Sequence, residues 1–276
     1  MEKIDFVIAT KNSGKTIDKC ISSISEAIPK SMINKIIVVD NISSDDTIDR
    51  LRRLKHKYRL EIAREEGLLG KVRLRQAQLA STEWIVYIDS DVYIHKNWWR
   101  TISPYLTNDS GWVLGMPRTK YSEPYKSFFE WSMMRFGGIA FSNTAVRRKL
   151  VLEVASSLRK LHGNEDAPIF EHIKSQGYKA HFVKSFVGEH EGDKDNLINS
   201  KAVRAGQSVR IRKGFFQAFF TGFKLALTNQ LKVLIYIIDK ERDISSILKI
   251  CFIQLRVSIL FMKGILSPDL VRELRE

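Results

Sequence analysis

Trp84-Ile85-Val86-Tyr87-Ile88-Asp89-Ser90-Asp91 joins a run of β-prone apolar residues to two carboxylates one residue apart. A short, continuous apolar run of this kind reads as a strand buried on both faces, with its carboxyl end acidic. Two similar runs lie upstream, Ile4–Thr10 and Lys35–Asp40, both rich in Ile and Val and both ending in polar residues. Helix-like stretches, Lys15–Ala27, Asp45–Lys57 and Gly70–Ala80, separate the three runs. Alternation of strand and helix implies crossover units, hence a mostly parallel sheet with helices on both faces. Ligands of such sheets bind outside the carboxyl ends of the strands. Thr10, Asp40, Asp89 and Asp91 are therefore the first candidates for function.

Downstream of the acidic strand end the pattern is less regular. Trp112–Met116 reads as a strand, Tyr125–Met134 as an aromatic helix, and Gly137–Ser142 as a turn and a strand. Pro168–Gln176 reads as a short helix closed by Gly177, and Ala180–Val183 as a strand. The last stretch, residues 215–266, is strongly apolar but interrupted by charges, and its longest charge-free run is the ten residues between Lys213 and Lys224. That run is shorter than the about 20 apolar residues a membrane span needs. Lys249, Arg256 and Lys263 recur every seven residues, which on a helix makes one narrow basic stripe, with Arg242 nearby.

The chain has 276 residues, 44% hydrophobic and 28% charged, so it is globular rather than disordered. Its two cysteines, Cys20 and Cys251, are far apart, which fits a reducing compartment and excludes a disulfide framework or a zinc cluster. The opening Asp5–Thr10 reads as a strand, not as the charged start and apolar stretch of a leader. The net charge is +14, and residues 201–276 contribute much of it, with 14 Lys/Arg against 6 Asp/Glu. A basic excess suits an anionic partner, whether nucleic acid, membrane surface or phosphorylated small molecule. No helix-turn-helix, zinc-finger or RNA-binding signature supports the first of these.

Two carboxylates at one strand end, Asp89 and Asp91, can share a divalent ion, and hard oxygen ligands suit Mn²⁺ or Mg²⁺. A solvated acidic turn is the bland alternative. Ser44 or Asp45 can cap the helix after Asp40-Asn41, but a cap does not account for Asp40 at the strand tip. Glu165-Asp166 precedes Ala167-Pro168 and a helix, where it serves either as helix-start charge or as a general base. His190, in Val187-Gly188-Glu189-His190-Glu191, ends a strand; it is a metal ligand or a structural histidine.

The order of these parts is more specific than any one of them. Phe6-Val7-Ile8-Ala9-Thr10-Lys11-Asn12, Ile36–Thr47, Ala80–Asp91, Glu165–Phe170 and Gly177-Tyr178-Lys179 through His190 resemble, in order and spacing, an inverting GT-A glycosyltransferase of family two. The resemblance covers residues 4–190. It implies a GT-A, Rossmann-like fold and one-sugar transfer from a nucleotide sugar. The Gln/Arg-x-x-Arg-Trp motif of processive synthases is missing. Ile42 replaces the glycine usual after the second strand, and Gly70-Lys71-Val72-Arg73-Leu74-Arg75 stands where Arg-Asn is usual. Carried over by position, the resemblance implies Thr10, Asp40, Lys71, Arg73 and Asp89 as nucleotide contacts. It implies Asp89, Asp91 and His190 around Mn²⁺ or Mg²⁺, and Asp166 as the base that takes the acceptor's proton. A nucleotidyltransferase or a non-catalytic nucleotide-sugar binder are the alternatives.

The expected organisation is a GT-A domain over residues 1–200 and a basic, amphipathic helical region over 201–276. Lys201, Arg204, Arg210, Arg212 and Lys213 read as a lid over the diphosphate, as lipid head-group contacts, or as a solvated helix face. The apolar tail reads either as a membrane-interface element or as core or oligomer interface. The membrane reading makes the chain a peripheral protein on the cytoplasmic face of a membrane, with a lipid-linked or saccharide acceptor and no nucleic-acid partner.

Overall fold

A computed structural model of the chain describes residues 2–191, 195–240 and 243–266. The described chain forms two compact units. The first comprises the described parts of Met1–Arg118, Ile139–Leu161 and Glu165–Gly192; the second comprises those of Thr119–Gly138, His162–Asn164 and Asp193–Glu276.

The first unit is built on an eight-stranded mixed sheet. Strands β1 (Ile4–Thr10), β2 (Ile33–Asp40), β3 (Leu60–Arg64) and β4 (Trp84–Asp89) are parallel neighbours in the order β3-β2-β1-β4. Helices α1 (Ile17–Ala27), α2 (Thr47–Lys55) and α3 (Leu69–Leu79) connect them. The remaining strands are β5 (Val92–Ile94), β6 (Ser110–Arg118), β7 (Asn143–Arg147) and β8 (Lys179–His190), and they continue the sheet as β7-β6-β8-β5 beyond β4. There β7 is antiparallel to β4 and β6, and β6 is parallel to β8.

Alternate residues of the parallel strands face opposite layers. Phe6, Ile8, Ile36, Val38, Val86 and Ile88 share one core with Ile17, Ile21 and Ile24 of α1 and with Trp98 of α4 (Trp98–Ile102). Val7, Ile37, Val39, Ile85 and Tyr87 are equally buried on the other side, where the Tyr87 hydroxyl donates to the Arg73 carbonyl of α3 at 3.2 Å. Burial on both faces explains why these strands are continuous apolar runs rather than alternating ones. Helices α6 (Arg148–Glu153), α7 (Ala155–Leu158) and α8 (Asp166–Ser175) complete this unit.

Three strands depart from the sequence reading. The strand expected within Gly137–Ser142 begins only at Asn143, and it buries the polar Asn143 and Thr144 along with Ala145 and Val146 inside a central strand. Strands β3 and β5 lie where no strand was expected. The guanidinium of Arg210, one of the basic residues of α9 (Asp195–Lys213), donates to the carbonyls of Ile265 at 2.7 Å and Leu266 at 3.2 Å. Arg242 lies outside the described residues.

In the second unit, α10 (Phe215–Lys240) and α11 (Ile244–Leu266) pack antiparallel. Ala218 near the start of α10 meets Phe261 and Ile265 near the end of α11, while Val233 and Tyr236 meet Ile250. Helix α9 (Asp195–Lys213) crosses α11 closely enough that a Cβ on Gly206 would lie 2.0 Å from the Phe261 carbonyl oxygen. Aromatic residues of α5 (Tyr125–Phe136) close the bundle, with the Phe128 and Trp131 rings 5.4 and 5.0 Å from that of Tyr236. Among the described residues one helix, α11, is long and apolar enough to cross a membrane, with a mean hydropathy of 1.8. The charge-free run length underrated it because its cations fall along one edge and leave the rest of the helix apolar.

Candidate active site

The strand order reverses between β1 and β4, which makes the crevice at their carboxyl ends the expected ligand site. Asp89 closes β4 there, opposite Ala9 of β1. The next residues turn directly into β5, whose Val92 pairs with His190 at the end of β8. The Glu191 amide then donates to the Asp91 carbonyl at 2.8 Å. This short pairing joins His190, a hundred residues downstream, to the acidic turn. His190 Nε2 lies 3.9 Å from Asp89 Oδ2 and 3.9 Å from Asp91 Oδ1.

One donor atom from each of Asp89, Asp91 and His190 lies within 4.8 Å of the others. Ligand bonds of about 2.1 Å to a common ion allow donor separations up to about 4.2 Å, so the 3.9 Å pairs fit a shared cation. Two carboxylate oxygens and one imidazole nitrogen are a donor set that suits Mn²⁺ and tolerates Mg²⁺. Below the turn, the buried Cys20 thiol faces the Asp89 carbonyl at 3.5 Å. Burial pushes its pKa well up, and the charges of Asp91 and Asp89 push the same way. Cys20 is thus a neutral packing group and not a ligand.

Arg73 of α3 is the hub of the site. It is 3% exposed, its guanidinium hydrogen-bonds Asp89 Oδ1, and its Nε lies 3.7 Å from Glu165 Oε1. It also lies over the Tyr87 and Phe141 rings, at 5.5 and 5.3 Å from their centroids. Burial works against its charge, but Asp89 and Glu165 outweigh burial and keep it protonated. A buried cation held by two carboxylates fixes their positions, and removing it would leave them uncompensated.

Asp166, the first residue of α8, is half-buried, and its Oδ1 has no hydrogen-bond partner among the described residues. Burial, with the adjacent charge of Glu165 as the second cause, pushes its carboxyl up to about 8. Near-neutral carboxyl groups of this kind are matched to proton transfer. Asn164, two residues earlier, takes the left-handed conformation with φ 56°, which turns the chain into α8.

The other candidates separate into two groups. Thr10 is buried at the β1 end with its Oγ1 unpartnered among the described residues. Asp40 is buried at the β2 end, where it accepts from the Ser43 amide at 3.0 Å and from the Ser43 hydroxyl and lies 3.5 Å from Arg64 Nε. The N-cap of α2 is Asp46, which makes no side-chain capping bond, while Asp45 Oδ1 just before it accepts from the Thr47 amide at 3.0 Å. Ile42, where the resemblance expects glycine, has φ 53°, a left-handed conformation costly for a β-branched residue. Lys71 does not join the cluster around Asp89; its ammonium meets Glu65 Oε1 at 2.7 Å and the Glu66 carbonyl at 3.1 Å. Sequence reasoning missed the Arg73–Glu165 link. The Glu-Asp pair before α8 was its visible trace, but nothing in the sequence marks Arg73 as buried.

The fold and this cluster define a GT-A type architecture, a Rossmann-like mixed sheet with an acidic, histidine-backed turn at its switch point. The model of the family "Glycosyl transferase family 2" matches residues 5–156, more than half of the chain, and the chain belongs to that family. Among curated relatives, poly(ribitol-phosphate) beta-N-acetylglucosaminyltransferase TarS of Staphylococcus aureus is 26% identical over 137 residues, covering 45% of this chain and 24% of TarS. A poly(ribitol-phosphate) beta-glucosyltransferase of Bacillus spizizenii is 35% identical over 97 residues, covering 33% of this chain and 15% of that protein. The chain thus spans a quarter or less of the length of these curated relatives. The solved structure of mannosyltransferase PcManGT from Pyrobaculum calidifontis, a complex with GDP-Man and Mn²⁺, superposes with a TM-score of 0.72 at 16% identity, covering 97% of this chain and 88% of that one.

Proposed function

We propose that the chain moves one sugar, with inversion, from a nucleoside-diphosphate sugar to a hydroxyl or phosphate of an acceptor. The observation that carries this reading is the Asp89, Asp91 and His190 donor set linked through buried Arg73 to Glu165, the neighbour of Asp166 in the chain. Asp89, Asp91 and His190 would hold Mn²⁺ or Mg²⁺, and the ion, when bound, supplies Lewis-acid neutralisation of the departing diphosphate. Asp166 accepts the proton of the acceptor hydroxyl as that oxygen bonds to the anomeric carbon. The bond from that carbon to the diphosphate oxygen breaks, and the nucleoside diphosphate leaves on the opposite face. An already ionised phosphate acceptor needs no base. Thr10 and Asp40 line the nucleoside side, with Asp40 reading the base. The relatives and the solved neighbour support the donor class, since their names specify glycosyl transfer and one structure holds GDP-Man with Mn²⁺.

The acceptor is read as lipid-linked and the reaction as taking place on the cytoplasmic face of a membrane. Rows of exposed apolar side chains on α10 and α11 support this, together with the two free cysteines. The test is nucleoside-diphosphate release across a panel of nucleotide sugars, with Mn²⁺ and with chelator, alongside calorimetry of nucleoside-diphosphate binding. The expected result is metal-dependent release from one donor, with binding sharply weakened in Asp91→Ala. Equal affinity with and without chelator would overturn the metal assignment. Pyrophosphate release from a nucleoside triphosphate would mark nucleotidyl transfer instead.

A further inference from the structure

Helix α10 turns one uninterrupted apolar row to solvent. Phe216, Phe220, Phe223, Leu227, Leu231 and Leu234 follow at steps of three and four, and each is more than half exposed. Such steps keep them on one helix face. Helix α11 repeats the arrangement with Ile244, Leu248, Phe252, Leu255 and Ile259, also each more than half exposed. A surface helix normally turns its polar side outward, and a contiguous exposed apolar face of this extent marks an interaction surface. A groove of about 600 Å³ opens on this face, bounded by Leu248, Phe252 and Leu255, with Lys249 beside it.

The charges identify the partner and its orientation. Lys249, Arg256 and Lys263 are exposed, and α11 contains no Asp or Glu. Seven-residue steps advance about 10.5 Å along a helix while turning it by only about 20° short of two full turns. The three cations therefore form a line nearly parallel to the axis, along one edge of the apolar row. Such a line lies at a single depth only if the helix axis is parallel to the bilayer. If α11 stood across the membrane, Arg256 would sit near the midplane, although the helix is long enough to span. An antiparallel symmetric pair joined through the apolar rows would set two such cation lines along the same edge, with no acid on α11 to offset them.

We infer that α10 and α11 lie side by side, flat in one leaflet of an anionic membrane, with both apolar rows in the acyl boundary and the cation line at head-group level. This deepens the membrane part of the proposed function and is independent of the sugar chemistry. The test uses the full chain with Cys251→Ser; the buried Cys20 stays unlabelled. Single cysteines replace Phe216, Leu227 and Ile238, spaced along α10, and carry a nitroxide whose depth is read in vesicles of 30% phosphatidylglycerol and 70% phosphatidylcholine.

The expected result is flotation with the vesicles and one shallow depth for all three labels. A Leu227 label at mid-bilayer with the other two near the surfaces would overturn the flat arrangement while keeping the membrane reading. No flotation, or vesicle-independent dimers that bury the labels, would overturn both and leave donor turnover untouched. Lys249→Gln/Arg256→Gln/Lys263→Gln should lower affinity for the anionic vesicles about a hundredfold, at about fivefold per cation. Unchanged affinity would overturn the role of the cation line.

Discussion

At the scale of single residues, the Asp166 carboxyl decides how the site responds to pH. Burial first, and the neighbouring Glu165 second, push it up to about 8, so the proton-accepting form gains population as pH rises towards that value. Transfer to a hydroxyl acceptor should therefore rise along a limb centred near pH 8. Glu165→Gln removes a negative neighbour, so the limb should move to lower pH; a kcat–pH profile in which it stays put would detach Glu165 from the titration. Asp166→Asn should keep donor binding and lower transfer about 10²–10⁴-fold. The linkage runs in the opposite direction from activity. The folded pKa lies above the unfolded value of about 3.9, so this group's contribution to stability is complete below that pH and is lost as pH rises through about 8. Asp166→Asn should accordingly lose less stability than the parent between pH 5 and pH 9, measured by denaturant titration. The carboxylates themselves were legible in the sequence, because D-x-D, Glu-Asp and His190 stand at element ends. The pairing of Arg73 was not: the resemblance implies it as a nucleotide contact, whereas its burial between Asp89 and Glu165 depends on elements far apart in the sequence.

At the scale of elements, the site depends on two features that local pattern underspecifies. The first is β5, three residues long, which brings His190 to Asp91 through the Val92–His190 pair. A strand so short has no periodicity to read, whereas β1, β2 and β4 announce themselves because both of their faces are buried. The strand β7 was expected too early because Ile139-Ala140-Phe141 is the apolar run, while the strand that follows buries Asn143 and Thr144. Asn143 has a physical reason to be inside: its Oδ1 accepts from the Trp98 indole at 2.6 Å. The second feature is the seating of α3. The Gly70 amide donates to the Leu161 carbonyl at 3.0 Å, and a Cβ on Gly70 would lie 2.1 Å from the Leu158 carbonyl oxygen. The obstructing atom is backbone, so no rotamer change relieves it, and Gly70→Ala must push α3 outward together with Arg73. Overpacking of this kind costs about 1–3 kcal/mol. The variant should show a lower Tm and, because Arg73 moves away from Asp89 and Glu165, a loss of transfer larger than the stability loss explains. A Tm equal to the parent's would mean that α3 can shift freely and that its seating does not set the site.

At the scale of the whole molecule, the sequence shows the tail as apolar and basic, and the helices form where that pattern lies. What it does not show is which other residues share the tail's core. Within the region Tyr121–Thr144, the aromatics Tyr125, Phe128, Phe129 and Trp131 read from sequence as stacking on a sugar, cradling a lipid chain or packing a core, because such side chains suit all three. In the structure Tyr121, Tyr125 and Phe128 are buried in one cluster with Val233, Tyr236 and Ile250. Trp131 and Arg135 both hydrogen-bond Asp239, at 3.1 and 2.9 Å. Helices α10 and α11 are thus part of a core and not an appendage, whatever their outer rows contact. Each large apolar side chain removed from water contributes about 1.5–3 kcal/mol, so baring three aromatic rings at once offsets much of the about 5–15 kcal/mol that stabilises a typical domain. A chain ending at Arg212 should therefore bind a hydrophobic dye, melt at lower temperature and aggregate in buffer without any membrane present. Leu227→Glu/Leu231→Glu, which alters only the outer row of α10, should leave the melting temperature close to the parent's. If the truncated chain instead remains monomeric, dye-silent and as stable as the parent, the segment 119–138 does not depend on the tail, and its aromatics become free to serve as the acceptor pocket.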